Sequence, residues 1–196
     1  MEKMIILASA SPRRKTLLGR LVDRFYIYPV NVDESCKKGE SPSQHVRRLA
    51  RTKAFQAKEE GMNGIIIAAD TVVVIDHRIL GKPANREEAR RMLTLLSGRT
   101  HSVFTGLCIY DTFTDRIFIK ETESKVTIRE LSKDEIEEYI SSGEPFDKAG
   151  GYAVQGEARV FVEKVEGSYT NVVGLPLETL EEGLAHMGIS TRKSTG

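Results

Sequence analysis

The chain has 196 residues, 40% hydrophobic and 29% charged, with a formal net charge of +1. That length holds one full-sized domain or two small lobes sharing a cleft, and near-zero charge excludes a broad electrostatic grip on nucleic acid while leaving a small anion open as ligand. Cys36 and Cys108 lie far apart without metal-type spacing, and no apolar run reaches the length of a membrane span or a signal peptide, so reduced thiols, a cytoplasmic location and no membrane partner are expected.

Ile5 to Ala8 form an apolar run fit for a short buried strand, and Ser11 and Pro12 then supply an N-cap and a first helical residue. Leu17, Leu18 and Leu21 give that helix its apolar stripe. Its first turn is crowded by Arg13, Arg14 and Lys15, each of which opposes the helix dipole by about 0.3–1 kcal/mol when exposed. A phosphate would remove the conflict, because free N–H groups, a serine hydroxyl such as Ser9 and guanidinium forks all bind phosphoryl oxygens; a solvated basic turn is the other reading.

FYIYPV reads as a strand, and SPSQHVRRLARTKAFQAKEEG as a helix with Pro42 near its start and Gly61 at its end. Val46, Leu49, Ala50, Ala54 and Ala57 share one face of it with Lys53, which must either snorkel to water or serve a purpose. GIIIAADTVVVI is a long β-branched run interrupted by a single aspartate, Asp70. An unpaired carboxylate buried there costs of order several kcal/mol, so Asp70 needs cations, a metal or an open cleft. A strand ending at Ala69 places Asp70 and Thr71 at its carboxyl end, where open α/β sheets hold ligands; an aspartate capped in a β-bulge is the alternative.

GKP puts Lys82 in a turn, and NREEARRMLTLLSG is a helix opened by Asn85 and Glu88 and stopped by Gly98, with Arg99 and His101 at its exit. HSVFTGLCIYD and RIFIKETESKVTIREL form a hairpin across TFTD, and SKDEIEEYISSG is a short helix with a capping box. FDKAGGYAVQG is a glycine-rich loop holding Asp147, Lys148 and Gln155. ARVFVEKVEG reads as a strand, PLETLEEGLAHMG as an amphipathic helix and STRKSTG as a loose end. Interleaved helices and strands with one hairpin imply an α/β fold around a central β-sheet of mixed direction flanked by helices; one domain over residues 1–189 and a flexible tail over 190–196 are expected.

Arg13, Arg14, Lys53 and Lys82, with the carboxylates of Asp70 and of Glu34 in VDES, form an inventory that suits a polyphosphate and a divalent cation: cations hold the charge and hard oxygens hold the metal. The chain has no GxxxxGK[ST] phosphate loop, HExxH, paired-cysteine zinc pattern or GxSxG elbow.

ILASASPRR, AADTVV, GKP, SGRTHSVFTG, FDKAGGYAVQG and GSYTNVVGLP occur in that order from Ile5 to about Pro176, and with them the sequence resembles the Maf family of nucleoside triphosphate pyrophosphatases. The resemblance implies a Maf/ITPase-like fold of two lobes with a cleft, and hydrolysis of a nucleoside triphosphate to the monophosphate and pyrophosphate with Mg²⁺ or Mn²⁺. It makes Asp70 the proton acceptor or, with Glu34, a metal ligand. Ser9, Arg13, Arg14, Lys53 and Lys82 become phosphate-binding candidates, and Arg13, Thr71 and Gln155 specificity positions of the dTTP/UTP branch. The family was first linked to inhibition of septum formation, so a nucleotide-binding regulator of cell division that does not cut its ligand is the alternative reading. A nucleotide partner, no stable nucleic-acid partner and an assembly left open to a homodimer complete the expectations.

Overall fold

The computed structural model describes residues 3–192; residues 193–196 of the expected tail lie outside the described residues. Among the described residues seven strands form one sheet in the order β2-β1-β3-β5-β6-β7, with β4 pairing β3. The strands are β1 (Ile5–Leu7), β2 (Tyr26–Ile27), β3 (Ile65–Ile75), β4 (Arg78–Leu80), β5 (Thr100–Asp111), β6 (Arg116–Ile128) and β7 (Val162–Glu166). The helices are α1 (Pro12–Leu21), α2 (Pro42–Glu59), α3 (Arg86–Leu96), α4 (Lys133–Ser141), α5 (Tyr169–Val173) and α6 (Leu177–His186). β1 runs parallel to β2 and β3, whereas β4 on β3 and β7 on β6 are antiparallel, so the sheet is mixed. None of these helices is long and apolar enough to cross a membrane.

The chain divides into two compact units: one takes the residues up to Asp70, Thr105–Thr122 and the chain from Gly174, the other Thr71–Phe104 and Glu123–Val173. The first unit is built on β1 against the start of β3, in the register Ile5↔Ile65, Ile6↔Ile66 and Leu7↔Ile67. Ala50, Ala54 and Ala57 of α2 enter a core with Ile6, Ile66 and Cys108, and their small size lets the helix lie low over the strands. Gly106 of β5 makes that approach feasible: an added Cβ would sit 2.2 Å from the carbonyl oxygen of Val46. Gly106→Ala is expected to cost about 2–3 kcal/mol by forcing α2 away from the sheet. A calorimetric midpoint equal to that of the wild type would contradict this packing.

In the second unit β4 folds back on β3, with Val73 opposite Leu80. α3 starts at Asn85, whose side chain accepts from the Glu88 N–H, and Gly98 beyond its end has φ +68°. α4 carries the capping box expected at Ser132 and Glu135. The short α5 is anchored by buried Asn171, whose amide donates to the Val103 carbonyl at 3.1 Å and to Ser124 Oγ at 2.9 Å.

Three local expectations need correction. β3 does not stop at Ala69 but continues to Ile75, so Asp70 lies mid-strand; the β-branched residues on both sides sustain the extended backbone, and the carboxylate is accommodated by a side-chain partner instead of by a strand end. Only Tyr26 and Ile27 of FYIYPV pair as strand. ARVF turns as a 3₁₀ helix (Glu157–Phe161) before β7 begins, opened by Gly156 at φ +81°. The segment around Tyr169, unassigned from sequence, is helical as α5, too short to announce itself by periodicity. Cys36 is exposed and Cys108 buried, both free, and burial pushes the Cys108 thiol up to about 12.

Candidate active site

The first unit holds six of the expected residues, Ser9, Arg13, Arg14, Glu34, Lys53 and Asp70. Lys53 projects from the core-facing side of α2 and is only 8% exposed, yet its stem does not carry the ammonium out to water. The Nζ atom donates to Asp70 Oδ1 at 2.7 Å and lies 2.7 Å from Glu34 Oε1. Asp70 is 6% exposed, so the ammonium supplies the counter-charge that a carboxylate in an aliphatic strand requires. Lys53 engages Asp70 through Oδ1.

Arg14 reaches the same cluster from the first turn of α1. Its Nε donates to the Gly174 carbonyl at 2.8 Å and its Nη1 to Ser9 Oγ at 3.4 Å, while Ser9 Oγ also accepts from the Ser11 N–H. Ser11 caps the helix by accepting from the Arg14 N–H. Burial draws the Arg14 pKa below the ordinary arginine value; Asp70 opposes that shift, Arg13 adds to it and Glu34 opposes it. All four ionic side chains therefore lie within one electrostatic neighbourhood, with Lys53 and Arg14 balancing Asp70 and Glu34 and with half-buried Arg13 beside them.

Glu34 stands in the loop between β2 and α2, and sequence reasoning missed what holds that loop. Arg48 Nη2 donates to the Ser35 carbonyl at 3.0 Å, and the same guanidinium grips both oxygens of Glu40 at 2.5 and 2.7 Å. His45 Nδ1 lies 3.1 Å from Glu40 Oε2. The Arg48 fork holds the Glu40 carboxyl down to about 2, so the clamp persists far into acid. Nothing in the spacing of Glu40, His45 and Arg48 distinguishes such a clamp from a solvated helix face, which is why it stays invisible until the loop folds back.

Thr71, Lys82 and Gln155 belong to the second unit. Thr71 is half-buried in β3, directly after Asp70. Exposed Lys82 follows Gly81, whose carbonyl accepts from the Gly150 N–H at 2.9 Å. Gly150 has φ +70°, and an added Cβ would meet Val73 at 3.0 Å, so glycine is required for this turn to lie on β3. Half-buried Gln155 lines a hollow of about 520 Å³ with Gly156, Arg159 and Tyr169.

The remaining polar residues of these motifs serve the fold. Lys148 Nζ is spent on Asp147 at 2.6 Å and on the Glu144 carbonyl at 2.7 Å. Arg99 pairs with Asp76. His101 is buried with its Nε2 2.6 Å from the Tyr152 hydroxyl, and burial lowers its pKa to about 4, so it is a neutral strut near pH 7.

Residues 4–187 match the family described as Maf-like protein. The chain belongs to the Maf family. Every site residue named above lies within the matched span. Similar Maf relatives carry the name dTTP/UTP pyrophosphatase. That of Dictyoglomus thermophilum is 47% identical over 192 residues, covering 97% of this chain and 99% of the relative. That of Desulforamulus reducens is 45% identical over 94% of this chain and 97% of the relative, and that of Syntrophus aciditrophicus 47% identical over 95% and 91%. A solved structure of a Vibrio cholerae protein covers 72% of each chain at 10% identity and a TM-score of 0.36, a likeness too faint to bear on the Maf fold.

Among the described residues of this Maf protein, no three histidine, cysteine or acidic side chains converge as a metal cage. Glu34 and Asp70, two hard carboxylates on one ammonium, form the smaller donor set with which Mg²⁺ is commonly held when phosphate oxygens and water complete its shell. The donor chemistry therefore fits a divalent ion that arrives with its substrate.

Proposed function

We propose that this protein hydrolyses nucleoside triphosphates to the monophosphate and pyrophosphate, with dTTP and UTP as substrates and Mg²⁺ or Mn²⁺ bound alongside. The observation that carries this reading is the ammonium of Lys53 shared by Asp70 and Glu34, with the Arg14 guanidinium in the same electrostatic neighbourhood. A protein that only held the nucleotide would gain nothing from two carboxylates beside its phosphates, because like charges repel. The names of relatives 45–47% identical over nearly the whole chain support the substrate class.

Before substrate binds, Lys53 and Arg14 balance Asp70 and Glu34. A triphosphate brings several negative charges more, which Arg13 alone does not offset, so a divalent ion is the natural companion of the substrate. Held by Glu34 and Asp70, such an ion supplies charge neutralisation and a more acidic water. Arg13, Arg14 and Ser9 bind phosphoryl oxygens, and Arg14 is held ready by its bonds to Gly174 and Ser9. Lys53 fixes Asp70 through Oδ1, and the Asp70 carboxylate takes the proton of the attacking water. Water adds to phosphorus, the α–β anhydride bond breaks, and charge growing on the departing pyrophosphate is met by the cations that bind the phosphates.

Incubation with Mg²⁺ and a nucleotide panel, read as pyrophosphate released, tests the reading. Product from dTTP and UTP is expected; tight binding without product would favour the non-catalytic regulator. Gln155 offers an amide donor and acceptor suited to a pyrimidine edge. Gln155→Ala is expected to lower the UTP-to-CTP ratio of kcat/KM by about tenfold while kcat for UTP changes less, and an unchanged ratio would remove Gln155 from base reading. Arg48→Met releases the Glu34 loop and should cost about tenfold in kcat/KM. In a Glu34→Gln background the same change should cost little further, because it acts through Glu34; equal losses in both backgrounds would refute that coupling.

A further inference from the structure

The first unit holds a second hollow, of about 560 Å³, at the turn leading into α2. Its lining includes five cations, Lys37, Lys38, Arg47, Arg48 and Arg51, against the single carboxylate of Glu40. Ser9, Arg13, Arg14, Glu34, Lys53 and Asp70 take no part in it.

The protein neutralises only part of the charge there: Arg48 is paired with Glu40, and Asp33 acts at longer range on Arg48 and Lys37. Glu40 is already saturated by Arg48, His45 and the Lys37 N–H. Arg47 has a loose pair with Glu121 at 3.5 Å, half-exposed and so weak in water. Among the described residues no carboxylate lies within ion-pairing distance of Lys37, Lys38 or Arg51. Among the described residues some surface cations elsewhere are matched, as Arg99 is by Asp76, Lys120 by Glu182 and Arg129 by Glu135, and exposed cations without an ion pair, such as Lys15, Lys82 and Lys133, do not line this concavity. In a chain whose net charge is only +1, five cations against one lining carboxylate, three of them without an ion pair among the described residues, stand out in one concavity.

The wall is also pre-formed. Arg48 ties Ser35 to Glu40 across the loop, the Glu40 N–H closes the turn onto the Lys37 carbonyl at 3.1 Å, and Arg51 lies over the Phe55 ring at 5.0 Å. Little ordering is left for a ligand to impose.

We propose that this hollow is a second binding site, separate from the Asp70 cluster, for a small oligophosphate anion. Several cations of mixed type favour a ligand with several linked anionic groups: guanidinium forks match phosphoryl oxygens two at a time and the lysines act as point charges. A single carboxylate or phosphate would leave most of them unmatched. The volume is that of a small-molecule site, and the near-neutral chain lacks the extended basic track that a nucleic acid follows.

Isothermal titration of the full chain with inorganic tripolyphosphate, at low salt and without divalent metal, tests the assignment. The double variant Lys38→Glu/Arg51→Glu is expected to lose one equivalent of binding, or to weaken it by about tenfold or more, while its thermal midpoint stays near that of the wild type. Identical isotherms for the two proteins would overturn the site. Tighter binding of a single-stranded oligonucleotide than of tripolyphosphate, lost in the same variant, would overturn the small-anion assignment.

Discussion

Asp70→Asn leaves the protein folded and reduces pyrophosphate release by about three orders of magnitude. The amide keeps the shape of the side chain and still accepts from Lys53, whose ammonium retains Glu34 as its anionic partner. What disappears is the basic oxygen that takes a proton from water, together with half of the carboxylate pair suited to a divalent ion. The measurement is initial rate of pyrophosphate release from dTTP at saturating Mg²⁺, with the thermal midpoint recorded on the same preparation. A variant that keeps a tenth of the wild-type rate would remove Asp70 from the chemistry and return it to a purely structural place in β3.

Lys53→Met separates the electrostatic task of this cluster from the catalytic one. Methionine fills the same channel through the core face of α2 but leaves Asp70 buried, charged and without its ammonium. Breaking a buried pair from one side costs about 3 kcal/mol, a drop of roughly 6–12 °C in the midpoint for a chain of this size. Turnover should fall with it, since the orientation of Asp70 depends on the same bond. The double variant Lys53→Met/Asp70→Leu removes both charges and should recover most of the lost stability without recovering activity. Thermal denaturation of the three proteins decides the matter: a single variant as stable as the wild type would show that Asp70 does not rely on Lys53, and a double variant as unstable as the single would point to packing.

Much of the site was legible because residues in it break local rules. Asp70 interrupts a run of aliphatic β-branched residues, Lys53 occupies the apolar face of a helix, and Arg13 and Arg14 sit where a helix dipole disfavours them. Each anomaly costs free energy unless something elsewhere offsets it, so each signals a partner without naming it. Arg48 broke no rule. An arginine on a solvent-facing helix position is ordinary, and only the return of the loop to Ser35 and Glu40 gives it work. Regular elements were legible where periodicity runs long, as in α2 and α3; where it runs short, Glu157–Phe161 was misread and α5 gave no signal.

Composition, periodicity and caps by themselves determined an α/β chain with a mixed sheet, the helix boundaries at Ser11, Ser41, Asn85 and Ser132, and the inventory of cations and carboxylates. These are local properties: a cap needs only its own first turn, and an apolar stripe only its own helix. Tertiary structure alone decided that Lys53 joins Asp70 to Glu34, that the Gly174 carbonyl holds Arg14, and that Arg48 secures the loop of Glu34. Such contacts join residues far apart in the chain. Their partners are set by how α2 packs over β1 and β3, a matter of close-packed volume at Gly106, Ala50 and Ala54 that no single stretch of sequence encodes.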